Sequence, residues 1–265
     1  GKIIGVDMTD EQLDVAKNNI EEYTKKLGYK KSNMEFKKGY IECLEELDIS
    51  EKSIDIVISN CVVNLSLDKE KVIKGVYNLL KEGGSFYFSD VYCDRRLEET
   101  VKKHKILWGE CIAGALYEED FKRICNKVGF IEPREIERSE IKVTDPELKK
   151  ITGNAKFYSI TYNLFKIEGL ETLCEDYGQV AVYKGNMPEM EHFYKLDNHH
   201  TFITNKPMLV CGNTADMLEK TWLSKYFNVH GTKNKHYGLF GTCGNINDDI
   251  NIINSSCFKN IKYNI

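Results

Sequence analysis

The chain has 265 residues, of which 42% are apolar and 29% charged, and its formal net charge is −4. This is the composition of a globular protein long enough for one large domain, or for a standard domain with a small one. The acidic balance argues against a general nucleic-acid binder, and no run of about 18 apolar residues is present to cross a membrane. Without a secretory signal, we expect a cytoplasmic protein that binds neither nucleic acid nor membrane.

Two features are unusual: the nine cysteines, and a first residue that is glycine rather than methionine. The odd cysteine count, the long irregular spacings and the lack of any C-x-x-C argue against a disulfide framework and against a zinc ribbon. We therefore expect free thiols, most of which pack as small apolar side chains.

Apolar patterns alternate between strand and helix in the first part of the chain. Strands are predicted at residues 2–7, 33–38, 54–58 and 85–92. A helix is predicted from Thr9, which would form a capping box with Gln12, to Gly28, and a second helix at residues 72–80. Because the strand cores are almost entirely apolar, we predict an α/β fold with a Rossmann-like, doubly wound, mostly parallel sheet.

The later segments indicate where this fold ends. A helical region is predicted at 97–129, followed by two edge strands, at 130–140 and 157–166, that would be antiparallel. Beyond them, short strands and one helix indicate a small α+β domain, at residues 178–183, 201–204, 208–211 and 214–226. The predicted organisation is a main domain at 1–167, a small C-terminal domain at 168–244 and an Asn- and Ile-biased tail at 245–265.

Polar residues stand where three successive strands end. Asp7 ends the first strand, Ile41 and Glu42 follow the second, and Asn60 follows the third. Ligands of open parallel sheets bind outside the carboxyl ends of the strands. Each residue alone could be a cap or a packing residue, but together they favour an adenosine-bearing cofactor. The sequence of the glycine loop usually distinguishes proteins that bind NAD from those that bind S-adenosylmethionine, and this loop would precede Asp7. The residues named above are therefore compatible with either cofactor.

Five segments resemble the arsenite methyltransferases. They are residues 5–9 (GVDMT), 59–65 (SNCVVNL), 87–92 (YFSDVY), 107–117 (LWGECIAGALY) and 175–183 (EDYGQVAVY). The resemblance extends over residues 2–244, and its most specific part is the Trp-Gly-Glu-Cys sequence within 107–117.

This resemblance implies S-adenosylmethionine as the methyl donor. Asp7 would bind the ribose hydroxyls, and Met8 would lie against the adenine. Ile41 and Glu42 would contact the adenine end of the cofactor, and Asn60 would line its methionine side.

The resemblance also implies that Cys61 and Cys111 are catalytic and bind trivalent arsenic as thiolates. Thiolates are the ligands that such a soft ion prefers, and its lone pair could attack the sulfonium methyl group without a general base. The substrate would be arsenite or its thiol conjugates, the products methylated arsenicals, and glutathione or thioredoxin the thiol reductant. The alternatives are a methyltransferase for a small organic molecule and a non-catalytic arsenic-binding thiol protein.

A further implication is that the family's first strand, glycine loop and N-terminal cysteines have no counterpart in residues 1–265. That first strand would lie centrally, between strand 2–7 and the strand that ends at Asn60. Without it, backbone groups of both neighbours would be unpaired. We therefore expect residues 1–265 to fold poorly, to bind cofactor weakly and to have little activity. We also expect the chain to be a monomer.

Overall fold

The computed structural model describes residues 1–241. The chain divides into one unit at Gly1–Lys166 and a second unit that begins at Ile167. The predicted tail at 245–265, and the last residues of the predicted domain at 168–244, lie outside the described residues. Within residues 1–241, no helix is both long enough and apolar enough to span a membrane.

Strands and helices alternate through most of the first unit. The strands are β1 Ile3–Asp7, β2 Met34–Lys38, β3 Ile54–Asn60, β4 Leu80–Cys93, β5 Leu116–Tyr117, β6 Arg134–Ile141 and β7 Phe157–Phe165. The helices are α1 Asp10–Asn18, α2 Ile20–Lys26, α3 Lys69–Leu79, α4 Glu99–Lys102, α5 Lys105–Gly109, α6 Glu118–Val128 and α7 Pro146–Thr152. Two short 3₁₀ helices, Ile41–Glu46 and Val63–Leu65, follow β2 and β3.

These strands form two sheets. β1 and β2 are a parallel pair, and the second sheet has the order β3-β4-β7-β6 with β5 beside β4. β3 and β5 run parallel to β4, whereas β7 is antiparallel to both β4 and β6. The Rossmann-like α/β prediction is confirmed, including the antiparallel pair at the edge, and the second sheet is mixed rather than mostly parallel.

Among the described residues, β1 and β3 are not neighbours in either sheet. Among residues 1–241, no strand pairs with the outer edge of β3. Ile56 and Ile58 of β3 are 45% and 75% exposed. Apolar strand residues are normally covered by a neighbouring layer, so this part of the sheet is left open.

The 3₁₀ helix after β2 links the two sheets because it packs on α3. Leu44 is buried in the same core as Val72 and Val76 of α3. A Cβ atom at Gly75 would lie 3.3 Å from the Cβ of Leu44, so the helix needs a small residue where Leu44 approaches. This contact holds the end of β2 against the helix that follows β3.

The first predicted helix is wrong in two respects. The Thr9 hydroxyl donates to Asp7 Oδ1 at 2.6 Å, and no side-chain cap is made at the start of α1. The helix is also broken at Asn19, whose side-chain amide donates back to the Val15 carbonyl at 2.7 Å. Side chains of this type compete with the helical backbone for hydrogen bonds. Gly28, with φ +72°, follows α2 as expected.

β4 begins earlier than predicted, at Leu80, and passes through Gly83 and Gly84. A Cβ at Gly84 would lie 2.9 Å from the carbonyl oxygens of Asp55 and Lys81. The glycine therefore allows backbone segments to approach closely. The helix itself ends at Leu79, because the next residue is already extended.

The second unit is a small α+β structure. Its elements are β8 Glu175–Asp176, β9 Gln179–Tyr183, β10 Phe193–Lys195, β11 Thr201–Ile203, β12 Pro207–Val210, α8 Gly212–Glu219, β13 Phe227–His230 and β14 Gly238–Leu239, with a 3₁₀ helix at Trp222–Lys225. β12 and β13 flank β9 in an antiparallel sheet. The helix predicted at 214–226 is interrupted by Thr221, whose hydroxyl accepts the Leu223 N–H and starts the 3₁₀ helix.

Replacement of Ile73 by alanine should destabilise the first unit by about 2–5 kcal/mol, because Ile73 is 0% exposed in the core beneath α3. The matched change Val15→Ala, at a side chain that is 59% exposed, should leave stability nearly unchanged. Urea unfolding followed by circular dichroism measures both. Equal losses in the two variants would contradict the assignment of this core.

Candidate functional site

Cys61 and Cys111 are brought together by two turns of the first unit. Cys61 is the exposed residue directly after β3, and its N–H donates to the Ser89 carbonyl of β4 at 2.9 Å. Cys111 is half-buried and follows α5. Its thiol donates to the Cys61 carbonyl, with 3.7 Å between sulfur and oxygen. Both cysteines have left-handed backbone conformations, with φ values of 53° and 59°.

The buried carboxylate beside these thiols belongs to Asp90 of β4. Asp90 is 1% exposed and accepts the N–H groups of Asn64 and Val91, each at 2.9 Å. Burial raises its pKa to about 6, and the two N–H donors oppose that rise because they stabilise the charged form. Asp90 is therefore mostly ionised above neutral pH.

The two thiols are held in their neutral form near neutral pH. Burial, and then the negative charge of Asp90, raise the pKa of Cys61 and of Cys111. The Cys111 pKa is also raised by the nearby Cys61 and Glu110. Loss of the proton from either thiol therefore costs free energy, which a bond from sulfur to a soft ion would offset.

The residues proposed for the adenosine part of a cofactor lie at one end of the β1–β2 pair. Asp7 accepts the N–H and hydroxyl of Thr9, and these bonds hold its pKa below the usual range, so it carries a charge. The Asp7 carbonyl accepts the Gly39 N–H at 3.0 Å, which brings the segment with Ile41 and Glu42 to the same sheet edge. Met8 is 58% exposed there.

Asn60 stands apart from these residues, because it ends β3 in the second sheet and is exposed next to Cys61. Lys69, at the start of α3, lies near carboxylates from both regions. Its pKa is lowered by burial, and the charges of Asp90 and Glu42 oppose this shift. Its ammonium group also donates to the Ser66 carbonyl at 2.8 Å.

The sequence patterns alone did not identify Asn64, Asp90 or Lys69 as part of the site. A charged residue inside the apolar strand at 85–92 was the available signal for Asp90. A buried carboxylate needs donors, and Asn64 and Val91 supply them. Lys69 had no such signal, because lysines are common at exposed positions of helices.

Two family models match separate parts of the chain, one in each of its two units. Residues 1–129 match the family described as methyltransferase domain, and residues 177–259 match the arsenite methyltransferase C-terminal domain. The arsenite methyltransferase of Aquipseudomonas alcaligenes is 46% identical over 244 residues, covering 92% of this chain and 70% of that protein. The chain belongs to the arsenite methyltransferase family.

Other members of the arsenite methyltransferase family agree with this assignment. The human enzyme is 37% identical over 231 residues, and this chain spans 60% of its length. The crystal structure of an arsenic(III) S-adenosylmethionine methyltransferase from Chlamydomonas reinhardtii is 53% identical, with a TM-score of 0.88 over 91% of this chain and 80% of that one. The resemblance inferred from five sequence segments is thereby confirmed, together with the fold.

Alkylation of Cys61 and Cys111 should show the effect of Asp90. Because the carboxylate raises both thiol pKa values, their iodoacetamide reaction should rise only at a pH above that of an ordinary cysteine. Asp90→Asn should move both profiles to lower pH, although not fully, since burial is the larger cause. Mass spectrometry of the modified peptides measures each site.

The matched control is Asp55→Asn, which removes a carboxylate at the opposite end of β3. Asp55 forms a surface ion pair with Lys81 at 2.7 Å, so its loss should leave both alkylation profiles unchanged. If the alkylation profiles are unchanged in Asp90→Asn, the charge of Asp90 does not affect the pKa of either thiol.

Proposed function

We propose that this chain transfers a methyl group from S-adenosylmethionine to trivalent arsenic held by Cys61 and Cys111. The observation that carries the proposal is the convergence of two thiols from separate elements, with Cys111 sulfur 3.7 Å from the Cys61 carbonyl, beside the end of β3. Two adjacent soft ligands suit a thiophilic ion. Family membership supports the same reaction.

S-adenosylmethionine would supply an electrophilic methyl group on a sulfonium sulfur. The residues present fit its adenosine part: Asp7 offers a charged carboxylate to ribose hydroxyls, and the exposed Met8 offers an apolar surface to adenine. Ile41 and Glu42 lie near the same sheet edge, since they follow the Gly39–Asp7 hydrogen bond. Asn60 is the proposed contact on the methionine side, next to Cys61.

The role of the cysteines follows from the chemistry of the substrate. Arsenite exchanges two hydroxyl groups for the two thiols, and each thiol proton leaves with a hydroxyl group as water. Two arsenic–sulfur bonds then leave the arsenic lone pair available for in-line attack on the methyl carbon. S-adenosylmethionine would give up its methyl group and keep the electron pair of the carbon–sulfur bond, so arsenic would be formally oxidised by two electrons.

Return to the trivalent state requires two electrons, which we assign to thiols. Oxidation of two thiols to a disulfide supplies them, and a dithiol or glutathione-type reductant then reopens the disulfide. Glutathione and thioredoxin are the reductants proposed, with arsenite or its thiol conjugates as the substrate.

Substitution of either Cys61 or Cys111 by serine should reduce methylarsenical formation by a factor on the order of 100, because a hydroxyl is a poor ligand for a soft ion. Cys43→Ser is the control, since Cys43 is half-buried like Cys111 but lies beside Lys71 at 3.5 Å. The assay separates arsenic species after incubation with arsenite, S-adenosylmethionine and thiol.

The same assay separates the alternatives. Full activity in both serine variants would rule out the roles given to the two thiols and would favour an organic substrate. Stoichiometric arsenite binding without consumption of S-adenosylmethionine would favour a non-catalytic arsenic-binding protein.

Removal of the Asp7 carboxylate should weaken S-adenosylmethionine binding about tenfold, which corresponds to the loss of one charge-assisted hydrogen bond. Asp7→Asn tests this by calorimetry. Asp14→Asn, on the exposed surface of α1, is the matched control and should bind as the unaltered chain does. Equal affinities in all three proteins would remove Asp7 from the cofactor site.

A further inference from the structure

Asn64 lies between the two turns that present the cysteines. It belongs to the 3₁₀ helix directly after β3 and is 2% exposed. Its side-chain amide donates to the Val91 carbonyl at 2.6 Å and to the Cys111 carbonyl at 3.3 Å. Its backbone N–H donates to Asp90 at 2.9 Å. One residue thus connects the end of β3, the end of β4 and the Cys111 turn.

The Cys111 turn also packs directly against the backbone at Asn64. Gly114, three residues after Cys111, lies so close that an added Cβ would be 2.1 Å from the Asn64 carbonyl oxygen. A side chain at this position would push the two turns apart. The close contact between the Cys111 turn and the Asn64 backbone therefore depends on the absence of a side chain at Gly114 and on the amide of Asn64.

Both cysteines need such support because of their backbone conformations. A left-handed φ is unfavourable in a residue other than glycine and persists only where surrounding contacts hold it. Cys61 is held by its N–H bond to Ser89, and Cys111 by its N–H bond to Trp108. The Asn64 amide adds the bond that ties the Cys111 turn to the Cys61 side.

We propose that Asn64 is a positioning residue that sets the separation between Cys61 and Cys111, so that one arsenic atom can bridge both thiols. This inference rests on the function proposed above. An asparagine suits the position because its amide has two N–H donors for two carbonyl acceptors. Aspartate would present only acceptors to those carbonyls, and serine has one donor and a shorter reach.

Phenylarsine oxide provides a direct test, because it binds two neighbouring thiols by exchanging its oxide for two sulfur atoms and releasing one water. In Asn64→Ser and Asn64→Asp, its dissociation constant should rise about tenfold, since the second thiol is no longer held in place. Iodoacetamide reacts with single thiols, and in Asn64→Ser, which adds no charge, it should still modify Cys61 and Cys111 at nearly unchanged rates. This difference between two-thiol and one-thiol reagents would not arise from a purely structural role.

Asn163 is the matched control, because it is a buried asparagine of the same sheet, 5% exposed in β7 opposite Tyr87. Asn163→Ser and Asn163→Asp carry the same chemical changes and should retain the affinity for phenylarsine oxide. Should Asn64→Ser not fold, Gly114→Ala tests the same contact from the Cys111 side and should cause the same selective loss.

Three results would overturn the inference. They are unchanged phenylarsine oxide affinity in the folded Asn64 and Gly114 variants, parallel loss of one-thiol and two-thiol reactivity, and failure of the unaltered chain to bind the reagent through Cys61 and Cys111. Failure of the proposed function looks different. In that case the unaltered chain binds phenylarsine oxide through both thiols and the Asn64 variants bind it more weakly, but no methylarsenical forms from S-adenosylmethionine.

Discussion

The buried carboxylate of Asp90 is the point on which the geometry of the thiol site depends. A carboxylate that is 1% exposed must be satisfied by donors from the protein. The N–H of Asn64 is one of these donors, so the turn after β3 is fixed to the end of β4. The same asparagine then reaches the Cys111 carbonyl with its side chain. Movement of either turn would remove one of the donors to Asp90 or the Asn64 bond to the Cys111 carbonyl.

The charges around the thiols also distinguish between kinds of cysteine chemistry. Cysteines that act as nucleophiles lie near positive charge or a helix N-terminus, which lowers their pKa. At Cys61 and Cys111 the main influences are burial and the negative Asp90, and both raise the pKa. Such thiols react slowly with carbon electrophiles but can still exchange with arsenic-bound hydroxyl groups, because the proton leaves with the hydroxyl as water.

The sequence predicted those parts of the fold that depend on local apolar patterns. β1, β2 and β3 lie within a few residues of their predicted positions, because each is a short apolar run that ends in polar residues. The break at Asn19 depends instead on a side-chain bond to Val15, and the course of β4 through Gly84 depends on a close backbone approach. The periodicity of apolar residues in the sequence indicates neither the helix break nor the path of β4.

The functional site shows the same limit. Cys61 and Cys111 were identified by resemblance, because their surrounding segments are specific. Asn64 lies within one of these segments, but its role depends on contacts with Val91 and Cys111, 27 and 47 residues away along the chain. Pairings over such separations are not encoded in a local pattern, so they became visible only once the turns were placed.

The two halves of the proposed site are held together by different kinds of contact. In the thiol half, Cys61 follows β3, which shares a continuous ladder with β4 from Ile56 to Asn60. Asp90 and Asn64 reinforce this part and tie the Cys111 turn to it. The adenosine half lies on the separate β1–β2 pair, which is connected to the rest by the packing of Leu44 on α3. Ladder hydrogen bonds and buried polar contacts fix positions more narrowly than apolar packing does, because they are directional. The arrangement of the two cysteines is therefore the better determined part of the site, and the placement of Asp7 relative to Asn60 depends on a few side chains between the 3₁₀ helix and α3.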